Sequence, residues 1–522
     1  MKSVFKHFVF VFLFSAAFLN AKAQGLSSLQ IDTIVERTLK AFQVPGIAVG
    51  VIKDGKLIHA KGYGVRSLNN PQPVDENTLF GIASNSKAFT SAAIGILVDE
   101  GKIKWDDKVR DYIPEFKLYD PYVTEDFRIR DLLTHRCGLG LGAGDLMFFP
   151  DSANFNVQNA IFNLRYLKPE SAFRTKFQYN NLMFITAGEI VARVSGESWF
   201  SFIENRFFKP LGMSQSSAQY NRLSNKSNII EPHAICDGKL MTISHHNSEL
   251  MSAAGTIFSN VTDISKWLIA LMNNARYGEN NAKTLFSQKV LNEMMGAQMS
   301  IPVAAPGTYN THFSAYGLGF FLKDVKGYKE VSHSGGLPGN VTQLTMIPEL
   351  GLGIIVLTNQ QEGGAFKAIT DAIKDSYLDM GRKDIDRVYM YAASRNKNVN
   401  YANHLMDSIY KVVNSNLKLK VKANLAQYAG TFSDAWFGDV VFSMQNGKLI
   451  FESKKSLKLK GEIFHYMNNT LLVKWYDRSF DADAWVRIKM SDEGKVIGFT
   501  MEAISPMTDF SFDFDDLEFK VK

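Results

Sequence analysis

The chain runs to 522 residues, 46% of them hydrophobic and 21% charged, with a formal net charge of +6. That balance excludes wholesale disorder and a polytopic membrane protein, and the length calls for two or three domains. The positive excess is too small and too dispersed to demand a nucleic-acid partner.

The first predicted element is a signal peptide over residues 1–23. Lys2 and Lys6 precede the apolar run Phe8 to Leu19, and Ala21-Lys22-Ala23 offers the small-x-small site of a signal peptidase. The expected product is periplasmic or secreted. The run is too short to cross a bilayer, so no stable membrane span is expected after cleavage, and no cysteine stands nearby to take a lipid.

Residues 28 to 43 have helical apolar spacing. Pro45-Gly46 opens GIAVGVIK, which turns at Asp54-Gly55 into KLIHAKGYG, a hairpin signal. Ser84 to Glu100 reads as a buried helix, apolar on most sides and closed by Gly101. A long middle section mixes helices, such as Leu182 to Val194 and Thr262 to Asn273, with loops. Strands are expected again at YGLGFFL from Tyr316, VTQLTMIP from Val341 and GLGIIVLTN from Gly351.

After about residue 380 helical pieces and the polar stretch SRNKNVN suggest a connector. From about Leu425, short alternating strands turn at Asn446-Gly447, Asn468-Asn469 and Glu493-Gly494, which predicts a small antiparallel sandwich or barrel. Within it, Lys454-Lys455 to Lys460 reads as the solvated face of a strand. The resulting fold class is α+β: an antiparallel sheet with a helical region, followed by a small all-β domain. The expected division is a signal peptide over 1–23, a main domain over 24–385, a connector over 386–424 and a β-domain over 425–522, which should be separable from the main domain.

Three short motifs could carry chemistry. Ser84 and Lys87 stand three apart at the start of the buried helix, so both side chains share one face. A serine hydroxyl is a weak nucleophile until a base takes its proton, and a lysine can do so once desolvation lowers its pKa. The pattern S-x-x-K alone means little, since Ser3 with Lys6, Ser394 with Lys397 and Ser408 with Lys411 also match, but only Ser84 opens a long apolar helix. Tyr179 and Asn181 lie just ahead of a second helix, where a phenol can share a proton and an amide can hold a carbonyl. Tyr401 with Asn403 and Tyr466 with Asn468 share that spacing. His333-Ser334-Gly335-Gly336 contains the chain's one H-x-G, and its glycines let backbone amides approach a ligand. The structural alternatives are a helix-capping serine, a helix-capping asparagine and a glycine-rich turn.

Taken in order, Ser84-x-x-Lys87, Tyr179-x-Asn181 and His333-x-Gly335 resemble the three motifs of class C β-lactamases and DD-peptidases. The segments WDDKVRDYIPEF, IRDLLTHRCGLG and AAGTIFSNVTDISKWL are similar to stretches of that family, over about residues 28 to 375. The resemblance implies a β-lactamase/transpeptidase fold and a serine hydrolase that forms an acyl-enzyme on Ser84. It implies proton transfer by Lys87 and Tyr179, substrate binding by Asn181, His333, Ser334, Gly335 and Gly336, and an oxyanion hole from the amides of Ser84 and Gly336. The substrate would be a small ester, a D-amino-acid amide or peptide, or a β-lactam. An acyltransferase, or a silent binder of cell-wall peptides, would use the same fold.

Two positions depart from the family pattern. His333 stands where typical β-lactamases carry lysine, which removes a permanent cation for a substrate carboxylate. Cys137 stands where a small hydroxyl residue is usual, and packing is its expected role. In an oxidising compartment Cys137 and Cys236 could form one bridge. No cofactor or metal is expected: His245-His246 lack a third ligand at a useful spacing, and the run Gly138 to Ala143 lacks the strand that a dinucleotide fingerprint needs. The chain has no G-x-S-x-G nucleophile elbow.

Overall fold

The computed structural model describes residues 25–378, 380, 385–421 and 423–522. The predicted signal peptide lies outside the described residues. In chain order the main elements are α1 (Ser28–Phe42), β1 (Gly46–Lys53), β2 (Lys56–Gly64), α2 (Ser86–Asp99), α3 (Asn181–Ser195) and α4 (Val261–Met272). There follow β3 (Met299–Ile301), β4 (Ser314–Tyr316), β5 (Phe321–Val325), β6 (Tyr328–Leu337), β7 (Asn340–Ile347), β8 (Leu352–Thr358) and α5 (Gly363–Tyr377).

These strands form one antiparallel sheet in the order β2-β1-β8-β7-β6-β5-β4-β3. Successive side chains of a strand point to opposite faces, and both faces of this sheet are covered. Ile47, Val49 and Val51 pack with Val35 and Phe42 of α1 and Ile369 of α5. Ala48 and Ile52 join the larger core that holds Phe89, Ile94, Trp267 and Leu268 of α2 and α4. The hairpin turn falls at Asp54-Gly55, both with positive φ, as a two-residue turn requires. One expected strand is corrected: YGLGFFL is split, with Tyr316 ending β4 and Phe321 starting β5. Gly319, at φ +83°, makes the turn between them, and a Cβ there would stand 3.0 Å from the Lys87 carbonyl.

The expected connector is largely one 31-residue helix, α6 (Arg387–Leu417). Its first half lies on the main domain, where Tyr391 donates to Asp371 and Arg395 pairs with Glu362 at 2.8 Å. Its second half lies on the C-terminal domain through Ile409, Val413, Leu472 and Ile504.

Beyond α6, eight strands close a barrel: β9 (Gly430–Asp434), β10 (Gly438–Gln445), β11 (Lys448–Ser453), β12 (Lys460–Met467), β13 (Thr470–Trp475), β14 (Ala484–Met490), β15 (Val496–Ala503) and β16 (Glu518–Val521). Closure leaves no strand edge open. Phe432, Phe442, Phe499 and Phe519 pack ring against ring, with centroids 4.5 to 5.0 Å apart.

The Lys454 to Lys460 stretch departs from expectation. It is mostly the β11–β12 loop, and it docks on the main domain instead of facing solvent as a strand. The Lys455 carbonyl accepts from the Asn154 amide at 2.7 Å, and Lys458 pairs with Asp151 at 2.7 Å. Cys137 and Cys236 are both free, so no bridge forms. Among the described residues no helix is long and apolar enough to cross a membrane.

Candidate active site

Ser84 lies in a single 3-10 turn, Ala83–Asn85, that leads directly into α2. Ala83 holds φ +50°, an uncommon conformation for a residue with a Cβ. The turn is pinned by Asn85, which donates to the Ile82 carbonyl at 3.0 Å and to Thr342 Oγ1 at 2.9 Å. Its neighbours are buried, whereas Ser84 is half-exposed and open to the cleft. It does not cap the helix, so the capping alternative is set aside.

Lys87, one turn on, is fully buried. Its Nζ lies 3.0 Å from Ser84 Oγ, 2.7 Å from Asn181 Oδ1 and 2.9 Å from the Ala254 carbonyl. Loss of water pulls its pKa down to about 7, against the opposing charge of Asp145. A neutral amine has two N–H groups and one lone pair. In that neutral form the two carbonyl oxygens can take the two N–H groups, which leaves the lone pair for the Ser84 hydroxyl; in the protonated form Nζ donates to Ser84 Oγ as well.

The helix α3 brings the second motif. Asn180 is the cap, its side chain accepting from the Met183 amide, so the adjacent Asn181 is free to turn inward. Asn181 Nδ2 donates to Asp145 Oδ2 at 2.8 Å while its Oδ1 accepts from Lys87. The Tyr179 ring lies 4.9 Å from Lys87 Nζ. Burial holds the phenol well above its ordinary pKa, so it is neutral. Lys87 is therefore the member of this trio that can stand in its basic form near neutrality.

The third motif lies on β6, not in a turn; the turn that follows is Pro338-Gly339. Pairing with β5 ends at Ser332, so the free edge of β6 from His333 onward faces the Ser84 turn. A Cβ on Gly335 would meet the Ile82 carbonyl at 2.2 Å, whereas one on Gly336 would find only Val341 at 3.9 Å. Gly335 is thus needed for close approach to the Ser84 turn, and Gly336 borders open space. Ser334 and Gly336 are exposed, and His333 is buried on the opposite face. His333 Nδ1 donates to the Ser334 carbonyl at 2.5 Å, so Nε2 is left to accept from the Tyr316 hydroxyl at 3.0 Å. Burial and the nearby Lys87 lower its pKa to about 3, and the ring is neutral.

Several residues not singled out as site residues from the sequence complete the site. His135 stacks 4.1 Å from Tyr179, its Nδ1 accepting from the Asn180 amide. Asp145, fully buried, accepts from Asn181 and, at 2.9 Å, from Ser511 Oγ. Ser511 belongs to residues 504–517, which leave the barrel between β15 and β16 and enter the cleft. There Asp513 accepts from the Gly144 amide at 2.6 Å, Phe512 packs on Phe149, and the exposed Phe510 stands edge-on to Tyr179 with centroids 5.8 Å apart. The other S-x-x-K pairs of the described chain, Ser394 with Lys397 and Ser408 with Lys411, lie exposed on α6. Cys137 is buried, which raises its thiol to about 11 and keeps it protonated. Among the described residues no group of three or more His, Cys, Asp or Glu side chains could hold a metal.

A beta-lactamase family profile matches residues 31–378. The chain belongs to the beta-lactamase family. Membership gives the coarse function, a serine hydrolase of the beta-lactamase and penicillin-binding-protein kind, on the fold expected for it. A domain of unknown function, DUF3471, matches residues 418–521. The unguisins hydrolase ungD of Aspergillus violaceofuscus is 29% identical over 80% of this chain and 76% of its own length. Protein flp of Staphylococcus aureus is 27% identical over 64% of this chain and 63% of its own. An octameric penicillin-binding protein homologue from Pyrococcus abyssi shares the fold with a TM-score of 0.59 at 20% identity, over 95% of this chain and all of that one.

Proposed function

We propose that this beta-lactamase family member is an exported hydrolase that forms an acyl-enzyme on Ser84. Lys87 takes the Ser84 proton as Oγ attacks a substrate carbonyl. The Tyr179 phenol relays that proton to the leaving group, and water then releases the acyl chain. The amides of Ser84 and Gly336 are the proposed oxyanion donors, and Asn181 orients the bound carbonyl. The observation that carries this reading is the buried Lys87 amine, 3.0 Å from Ser84 Oγ and held by the Asn181 and Ala254 carbonyl oxygens at 2.7 and 2.9 Å.

The substrate class is a small ester, a D-amino-acid amide or peptide, or a β-lactam. The neutral His333 favours substrates without a carboxylate at that subsite, since no cation stands there to hold one. The fungal relative, named as a hydrolase, favours water as the final acceptor. Labelling with a fluorophosphonate and with a fluorescent penicillin, followed by peptide mapping, tests the reading. An adduct on Ser84 is expected, and its absence with both probes refutes it. Nitrophenyl esters, D-alanyl amides and nitrocefin then rank the substrates.

A further inference from the structure

The acylation steps above leave one buried acid unexplained. Asp145 Oδ2 accepts from Asn181 Nδ2 at 2.8 Å and from Ser511 Oγ at 2.9 Å, while Oδ1 has no partner among the described residues. Contacts therefore run from Ser511 through Asp145 and Asn181 to Lys87 and Ser84, and the outermost member comes from the C-terminal barrel. Placing a carboxyl here is costly, because a buried acid that touches no cation loses its solvation without a contact ion pair in return. If packing were the requirement, an amide of the same shape would serve.

What a carboxyl adds is a charge that an amide lacks and that protonation can remove. Lys87 is faced by Asp145, His135, His333 and Tyr179. Burial holds both histidines and the tyrosine neutral. Asp145 is the exception: burial raises it above the usual carboxylate range, while Asn181, Ser511 and Lys87 each favour its ionised form. Asp509, from the same barrel segment as Ser511, opposes that ionisation. When ionised, Asp145 holds a proton on Lys87; when neutral, it releases that hold.

We propose that Asp145, oriented by Ser511 of the C-terminal barrel, is a positioning residue that fixes Asn181 and sets the proton occupancy of Lys87. The barrel is thereby a working part of the acylation site. The proposal rests on the reading of Ser84 as the acylated residue.

The test uses the full chain and follows the rate of Ser84 modification by a fluorophosphonate against pH, read by mass spectrometry. In Asp145→Asn the acid limb moves to lower pH, by as much as the ionised fraction of Asp145 had retained the Lys87 proton. In Ser511→Ala it moves the same way by less, since loss of a donor leaves Asp145 less ionised. Ser511→Thr keeps the wild-type midpoint, and Ser511→Ala adds no shift to Asp145→Asn. A purely structural role would lower the rate at every pH without moving the midpoint. Wild-type protein unlabelled at Ser84 refutes the acylation reading itself. Wild-type labelling with unmoved midpoints in both variants overturns this proposal and leaves that reading intact. If Asp145→Asn fails to fold, Ser511→Ala decides alone, because its side chain comes from a loop and its loss removes one hydroxyl.

Discussion

Replacing Lys87 with methionine removes an amine whose pKa is held at about 7 by burial. An unfolded lysine titrates near 10.5, and at ~1.4 kcal/mol per pH unit that gap amounts to about 5 kcal/mol of solvation lost on folding. Below pH 7 the group is protonated in both states. Between about pH 7 and 10.5 the unfolded chain binds the proton and the folded chain does not. The contribution of Lys87 to stability therefore rises with pH across that window and is flat outside it. Guanidinium unfolding of wild type and Lys87→Met from pH 6 to 10.5 should show the difference moving in favour of wild type by about 5 kcal/mol. The carbonyls of Asn181 and Ala254, left without a donor in the variant, add an offset that does not depend on pH. The acylation rate of wild type should fall about tenfold per pH unit below 7, and the variant should lose roughly 10²- to 10⁴-fold. Parallel stability curves would refute a neutral, desolvated Lys87.

Gly335→Ala should cost at least about 100-fold in acylation rate, because its Cβ drives β6 away from the Ile82 carbonyl. Gly336→Ala, with open space at its Cβ, should keep the wild-type melting temperature; equal melting losses in the two variants would count against this geometry. His333→Lys puts a second cation beside Lys87, so the acid limb should move to lower pH and the kcat/KM ratio of carboxylate-bearing to neutral esters should rise roughly tenfold. An unchanged ratio would count against a subsite at that position. A chain ending at residue 424 loses Ser511, Phe512 and Asp513 together. It should melt at lower temperature and label slowly, and an undiminished labelling rate would show that the cleft is complete without the barrel.

Local signals carried much of this architecture. Asp54-Gly55 fixed the first hairpin, and the apolar run after Ser84 marked the buried helix that desolvates Lys87. The three motifs were readable because each is short and contiguous, although only the fold brings Ser84, Lys87, Tyr179, Asn181 and the β6 edge together. Misreadings arose where tertiary contacts overrode local pattern. Gly319 interrupts what looked like one strand because α2 leaves no room there for a Cβ. The glycine-rich turn weighed as an alternative after His333 does not form, because Gly335 keeps extended backbone so that the strand can approach the Ser84 turn. The lysines from 454 onward alternate like a solvated strand, but Asp151 and the Asn154 amide capture their loop. Asp145 and Ser511 stand 366 positions apart, and no local pattern announces a hydrogen bond at that range.

The continuous helix α6 has a bearing on how such a two-domain chain tolerates change in length. At 1.5 Å and 100° per residue, its 31 residues make a rod of about 46 Å gripped by the main domain at one end and the barrel at the other. A flexible tether absorbs an added residue as slack. This rod converts it into a rotation of about 100°, which swings Ile409 and Val413 off the barrel and pulls residues 504–517 out of register with Asp145. The exposed middle of α6, around Asn396 to Asn400, is therefore free to vary in identity yet constrained in number, with insertions accommodated only near whole helical turns.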